Sequence, residues 1–233
     1  MAKPLSSVEG AAATQTTAPP NNRDKLLNAA EQLFATKGFD ATTTREIARA
    51  ASVPLGLMAY YFGTKSDLYA EVIARRAEEH VRDIDESMRS ARDAVGGRPL
   101  TVTEMIKAYW RPILDKCLRK GPGWKAYIQI LARAACVEPS TEAYKVPYGK
   151  TYYDLPQMLV RNLREAYPDA SEADLYWGYY FLSSAMINMV LENGRIDFVS
   201  DGLCKSTDLE TVVAKMAVVC QSGFDSFLGA KRA

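Results

Sequence analysis

Residues 43–68 read TTREIARAASVPLGLMAYYFGTKSDL. Thr43-x-x-Glu46 is a capping box that opens a short helix with Ile47, Ala48 and Ala51 along its apolar side. Ser52-Val53-Pro54 breaks that helix. A second short helix begins at about Pro54, where proline suits a first turn, and ends in Tyr60-Tyr61-Phe62. Two small helices meeting at a steep angle form a helix-turn-helix, which serves mainly to hold one of them out into a groove of DNA. Val53, Met58 and Phe62 read as the residues that hold the pair together.

Working outward, Asn22 can cap a first helix with Leu26, Leu27, Ala30, Leu33 and Phe34 at i, i+3/i+4 spacing and Gly38 as its stop. Thr64-x-x-Asp67 opens a long fourth helix through Leu68, Val72, Val81, Ile84 and Met88, ended by Gly96-Gly97-Arg98-Pro99. Helices follow over 103–120, 124–137, 141–167, 172–192 and 207–228. Pro147 and Pro156 kink or split the third of these, and Asn193-Gly194 stops the fourth. A loop over 195–206 precedes a capping box at Thr207-x-x-Glu210. No stretch alternates long enough to be a strand. The expected fold class is all-α with about nine helices. A disordered arm over 1–21 leads into a three-helix helix-turn-helix domain over 22–66 and a larger helical domain over 67–233.

Composition narrows the chemistry. Of 233 residues, 48% are hydrophobic and 24% charged, which is ordinary for a globular chain. No apolar run approaches the roughly 20 residues needed to cross a bilayer, and the N-terminus lacks a signal-peptide apolar region, so a cytoplasmic protein without a membrane partner is expected. Cys117, Cys136, Cys204 and Cys220 form no C-x-x-C pair and read as buried, reduced thiols. A single histidine, His80, is too little for a His-based metal site or a catalytic triad. No catalytic residue, metal or cofactor is therefore expected. The net charge is only +1, and within 21–65 basic residues outnumber acidic ones by two. A basic stripe would support DNA binding independently, and the sequence does not supply one.

The segment over 26–72, LLNAAEQLFATKGFDATTTREIARAASVPLGLMAYYFGTKSDLYAEV, resembles the DNA-binding domain of the TetR/AcrR family of bacterial transcription regulators. The landmarks are Ala29, Phe34, Gly38-Phe39, Thr43, Ile47-Ala48, Val53, Gly56, Tyr60, Phe62, Lys65 and Leu68. The resemblance implies that the third helix lies in the major groove. Thr43 and Thr44 then present hydroxyls and backbone N–H groups to phosphate, and Arg45 reaches phosphate or a base edge. Gly56 admits close approach to DNA, while Leu55 and Leu57 suit contact with thymine methyl groups. Tyr60, Tyr61 and Lys65 resemble the phosphate clamps that fix register. Pro54 stands where the family usually has serine or threonine, and Ala59 where it is often aromatic. Both departures bear on which operator is read.

A head of this size reads a half-site, so a homodimer on a palindromic operator is expected. Leu175, Tyr179, Leu182, Met186 and Met189 form one apolar stripe, and Leu209, Val212, Val213, Met216, Val219 and Phe227 another. Two copies of such a pair would make a four-helix interface; the alternative is that both stripes face their own core. The opposite side of the 172–192 helix, with Trp177, Phe181, Ser184 and Asn188, suits a ligand pocket. Trp110, Ile113, Trp124, Tyr127, Ile128, Tyr152, Leu155 and Leu159 can line the same space, with Arg133 as a further polar anchor. The resulting expectation is a dimeric repressor of transcription released from double-stranded DNA by a small hydrophobic or aromatic effector. The alternatives are an activator, a regulator without a ligand, or, against the single histidine, an all-helical enzyme.

Overall fold

The computed structural model describes residues 21–191 and 194–229. The expected arm lies outside the described residues except for Asn21, as does the stop expected at Asn193. Among the described residues the chain forms helices and no strand. The head comprises α1 (Asn22–Lys37), α2 (Thr44–Ala50) and α3 (Leu55–Phe62), followed by α4 (Lys65–Ala94). The body continues with α5 (Val102–Arg119), α6 (Pro122–Ala134), α7 (Glu142–Val146), α8 (Asp154–Ala166), α9 (Glu172–Val190), α10 (Arg195–Val199) and α11 (Leu209–Phe227). A π-helical turn, Pro147–Thr151, follows α7 directly.

The helix starts follow local hydrogen-bonding chemistry. The capping boxes at Thr43/Glu46 and Thr64/Asp67 both form, and an unforeseen third forms at Thr101/Glu104. The cap of α1 is Asn21 rather than Asn22: its side chain accepts from the Asp24 N–H at 2.9 Å. The cap of α11 is Asp208, which accepts from the Thr211 N–H at 3.2 Å, so Thr207-x-x-Glu210 is not the box expected. Glu210 instead pairs with Arg111 at 2.7 Å. The loop expected over 195–206 contains the short helix α10. Pro156 sits in the first turn of α8, where its missing N–H costs nothing, and does not interrupt a helix. Cys136 and Cys204 are exposed, unlike buried Cys117 and Cys220, and all four are free thiols.

Head and body share one core. Leu26, Phe34, Ile47, Met58 and Leu68 belong to the same buried cluster as Ile84, Trp110, Tyr127 and Leu163. The seam runs along α1, which packs against α6 and α4. At its centre Glu31, 2% exposed, accepts from Arg76 Nε of α4 at 2.9 Å. The Arg76 guanidinium lies 5.0 Å from the ring centroid of Trp124, which is in the first turn of α6. Gly123 permits this closeness, because a Cβ there would stand 2.4 Å from Arg76 Nη2. Tyr69 of α4 donates to the Ala143 carbonyl of α7 at 3.2 Å. Arg133 Nε of α6 donates to the Ala35 carbonyl of α1 at 2.6 Å.

Breaking one side of a buried ion pair leaves an uncompensated charge, whereas replacing both partners with apolar groups need not. Arg76→Met is therefore expected to lower unfolding free energy by about 3 kcal/mol in urea titrations. The double variant Glu31→Leu/Arg76→Met should recover most of that loss.

Burial also sets the acid response. His80, 3% exposed, has its pKa pushed down to about 3, first by burial and then by the nearby Lys116 ammonium, with Asp83 opposing. The unfolded chain binds a proton at His80 below about pH 6.5 and the folded chain does not. Stability present above that pH is thus lost on acidification toward about pH 3, with a slope approaching 1.4 kcal/mol per pH unit. Urea titrations between pH 7 and pH 4 should show a shallower slope for His80→Gln than for the parent chain.

Candidate functional site

The head presents one exposed, uncharged helix. Leu55, Gly56, Ala59 and Tyr60 of α3 face outward, with Tyr60 79% exposed, while Val53, Met58 and Phe62 are buried against α1 and α2. Tyr61 is partly exposed and meets Tyr60 edge-on at 5.2 Å. Leu57 is half-buried and packs on the core, so of the two leucines read as groove contacts only Leu55 stands clear. The turn into α3 passes through Ser52 at a φ of 55°, a left-handed conformation unusual for a residue with a side chain. Thr42, which the sequence did not single out, is fully buried and ties this corner together by donating to the Gly38 carbonyl at 2.7 Å.

Several polar groups read as phosphate contacts already have internal partners. The Thr43 N–H and hydroxyl both donate to Glu46 Oε2 at 2.9 Å. The Lys37 ammonium, 2.7 Å from Glu46, together with the Thr43 donors, pulls the Glu46 pKa down to about 2. Thr44 and Arg45 beside them are half-buried and exposed, and among the described residues Arg45 makes no ion pair. Lys65 Nζ donates to the Phe39 carbonyl at 3.0 Å and the Thr42 carbonyl at 3.2 Å, and lies 4.2 Å from the Phe39 ring centroid. That ammonium fastens the start of α4 to the loop between α1 and α2, which leaves one of its three donors for phosphate.

The body encloses a cavity of about 840 Å³. Trp110, Ile113, Ile128, Tyr152, Leu155, Leu159, Ser184 and Asn188, among the candidates for a ligand pocket, line it. The remaining candidates lie elsewhere, each for a physical reason. Trp124 is held between Arg76 and Lys116, whose Nζ is 3.8 Å from its ring centroid. Tyr127 is fully buried, donating to the Ile73 carbonyl at 3.3 Å and sharing a hydrogen bond with Tyr152. Arg133 serves the seam with α1. Trp177 and Phe181 are about half exposed on the outer side of α9.

The lining residues that sequence reading missed include aliphatic side chains such as Leu131, Ile187 and Val190, and also tyrosines and a histidine. Tyr144, Tyr148 and Tyr152 recur every four residues across α7 and the π-helical turn, and all three line the cavity. The extra residue per turn in a π-helix carries this register past Pro147; such turns often mark functional sites. Tyr148 donates to the Leu131 carbonyl at 2.9 Å. Tyr109 and Tyr179 join them in the wall, with His80 of α4. Burial raises the pKa values of Tyr109, Tyr148, Tyr152 and Tyr179 and lowers that of His80, so the wall is uncharged near neutrality.

The two faces of α9 divide differently from the sequence expectation: Ser184 and Asn188 line the cavity, while Trp177 and Phe181 do not. Leu175 and Leu182 are 1% exposed, and Leu209 and Val213 at most 2%, all inside their own subunit. Tyr179 and Met186 line the cavity, while Met189, Val212 and Met216 pack half-buried against the core. Outward instead are Trp177 and Phe181 of α9, with Val218, Val219 and Phe227 of α11, and Tyr180 is both exposed and part of the cavity lining. Phe181 and Phe227 meet edge-on at 6.1 Å, and Trp177 stacks on Phe181 at 6.0 Å. Of the stripes expected to meet a partner, Val219 and Phe227 alone lie in this exposed patch. Helix α9 is apolar on every side, so its periodicity marks no single inward face.

Comparison with known proteins agrees with this arrangement of head and body. The family profile of bacterial regulatory proteins of the tetR family matches residues 26–72. The profile of the tetracyclin repressor-like C-terminal domain matches residues 107–223. The HTH-type transcriptional regulator QacR of Staphylococcus aureus is 40% identical over 53 residues, 23% of this chain and 28% of that protein. The HTH-type transcriptional repressor KstR2 of Mycolicibacterium smegmatis is 38% identical over 55 residues, 24% and 27% of the two chains. The chain thus spans less than a third of the length of the curated relatives it matches. The solved ketosteroid transcriptional regulator KstR2 of Mycobacterium tuberculosis shares the fold, with a TM-score of 0.59 at 15% identity over 88% of this chain and 96% of that one. Its helix-turn-helix head and a body profile that spans half of its length place the chain in the TetR family of bacterial regulatory proteins.

Proposed function

We propose that this protein is a homodimeric, sequence-specific DNA-binding repressor of transcription. It acts in the cytoplasm and leaves a palindromic operator when a small hydrophobic or aromatic molecule fills the body cavity. In this reading residues 22–66 form the DNA-binding domain and residues 67–233 the ligand-binding and dimerisation domain. One observation carries it: α4 begins at Lys65, fastened to the head, and fifteen residues on places His80 in the cavity wall. A molecule that shifts His80 acts on the same rigid rod that positions the head.

The head supports a division of labour. Thr44, Arg45, Tyr60, Tyr61 and the remaining Lys65 donor fix register on phosphates, assisted by the cap at Thr43. Leu55 and Gly56 meet base edges, with Leu57 steadying the helix from behind. With no charged side chain on α3, groove shape and thymine methyl contacts outweigh hydrogen bonds to bases. The exposed aromatic patch on α9 and α11 supports pairing, since a surface this apolar is a candidate interface. Release then follows from differential affinity: an effector that favours a wrongly spaced pair of heads lowers operator occupancy, and equal affinity for both forms changes nothing.

Footprinting on DNA flanking the chain's own gene tests the reading. A protected palindrome is expected, and protection without sequence preference contradicts it. Arg45→Ala should weaken binding similarly on all sequences and reduce the salt slope by about 1 per subunit, whereas Leu55→Ser should change which sequence is preferred. Phe181→Glu should yield monomers in sedimentation experiments and abolish footprints while keeping the helical circular dichroism signal.

A further inference from the structure

The chemistry of the cavity wall restricts what can enter. Among the described residues no aspartate, glutamate, lysine or arginine lines it. A charged guest would shed its hydration there and find no opposite charge. The tyrosine hydroxyls with assigned contacts are directed to the protein itself: Tyr148 to the Leu131 carbonyl, and Tyr152 to Tyr127. His80 differs. Its ring is held edge-on by Tyr127 and Tyr152, each at 5.8 Å between centroids, and forms part of the wall. Its Nδ1 is buried and meets no hydrogen-bond partner among the described residues. A buried ring nitrogen in that position carries a desolvation penalty that a guest's polar group can remove.

We infer that the cavity takes an uncharged molecule with an apolar or aromatic body and a hydroxyl group that hydrogen-bonds His80 Nδ1. The inference rests on the reading of this cavity as the effector site and names the class of effector. A hydroxyl both donates and accepts, so it satisfies either neutral imidazole tautomer, whereas an ether or ketone only accepts. The body of the molecule lies against Trp110, Tyr148 and Leu159, in a space of about 840 Å³ that exceeds a single ring. Carboxylates and ammonium compounds of the same size are excluded by the uncharged wall. Because His80 belongs to α4, the group that recognises the hydroxyl sits on the helix that starts in the head.

Isothermal titration calorimetry of the full chain with three probes tests this: para-pentylphenol, pentylbenzene and para-pentylbenzoate. The phenol is expected to bind roughly tenfold tighter than pentylbenzene, with no measurable binding of the benzoate. In His80→Phe the phenol should lose that advantage while pentylbenzene binding persists. Equal binding of phenol and pentylbenzene by the native chain, binding of the benzoate as tight as the phenol, or an advantage for the phenol retained in His80→Phe would overturn the inference and leave the cavity as an apolar effector site. Binding of none of the three overturns the cavity reading as well. The ranking of probes on the native chain decides the question even where His80→Phe fails to fold.

Discussion

The Glu31 carboxylate and the Arg76 guanidinium meet at the seam where α1, α4 and α6 converge, and the relation of head to body rests on that meeting. A helix-turn-helix this small buries little surface by itself, and its recognition helix is only eight residues long. Seating α1 on the body supplies the missing packing and fixes where α3 points. The pair is buried on the Glu31 side and partly open on the Arg76 side, so it specifies a position more than it adds stability. Gly123 lets the first turn of α6 come close, and Arg133 closes the other end of the same helix onto α1.

The seam places the cavity and the helix-turn-helix in mechanical contact. Helix α6 packs on α1 and lines the cavity through Ile128 and Leu131. Helix α4 carries Lys65 at the head, Arg76 at the seam and His80 at the cavity. Both helices are rigid rods, so a displacement at one end moves the other instead of dissipating in a loop. A free hinge between head and body would remove the differential affinity that the proposed release requires.

The electrostatics of the head are modest for a nucleic-acid binder. Net charge is +1, α3 has no charged side chain, and Lys37 and Lys65 are engaged within the protein. Counterion release from one head is therefore small, and the proposed binding to DNA depends on two heads held at a fixed spacing. In the proposed dimer, that dependence gives the exposed aromatic patch of α9 and α11 its importance.

Much of the architecture was local and hence readable in the chain. Thr43, Glu46, Thr64 and Asp67 determined two capping boxes within a single turn each, and the spacing of Ile47, Val53, Met58 and Phe62 determined the core of the helix-turn-helix. Asn21 and Asp208 displaced the expected caps by one residue, a difference decided by which side chain reaches the first free N–H. The body was a different matter. Helices α9 and α11 carry apolar residues around much of their circumference, so only packing against α5 and α8 selected the buried sides and turned Trp177 and Phe181 outward. Tyr148 entered the cavity through a π-helical turn that no hydrophobic period encodes. Nothing in the sequence marked His80 as a wall residue; α6 and the π-helical turn bring Tyr127 and Tyr152 around it. By itself the sequence determined most of the helices, the capping boxes at Thr43 and Thr64 and the helix-turn-helix, because those depend on neighbours three or four residues away. The tertiary structure alone decided the cavity, its uncharged wall and the exposed patch, because they are made by residues from separate helices, His80 to Leu191 in the cavity, whose approach is set by long-range packing.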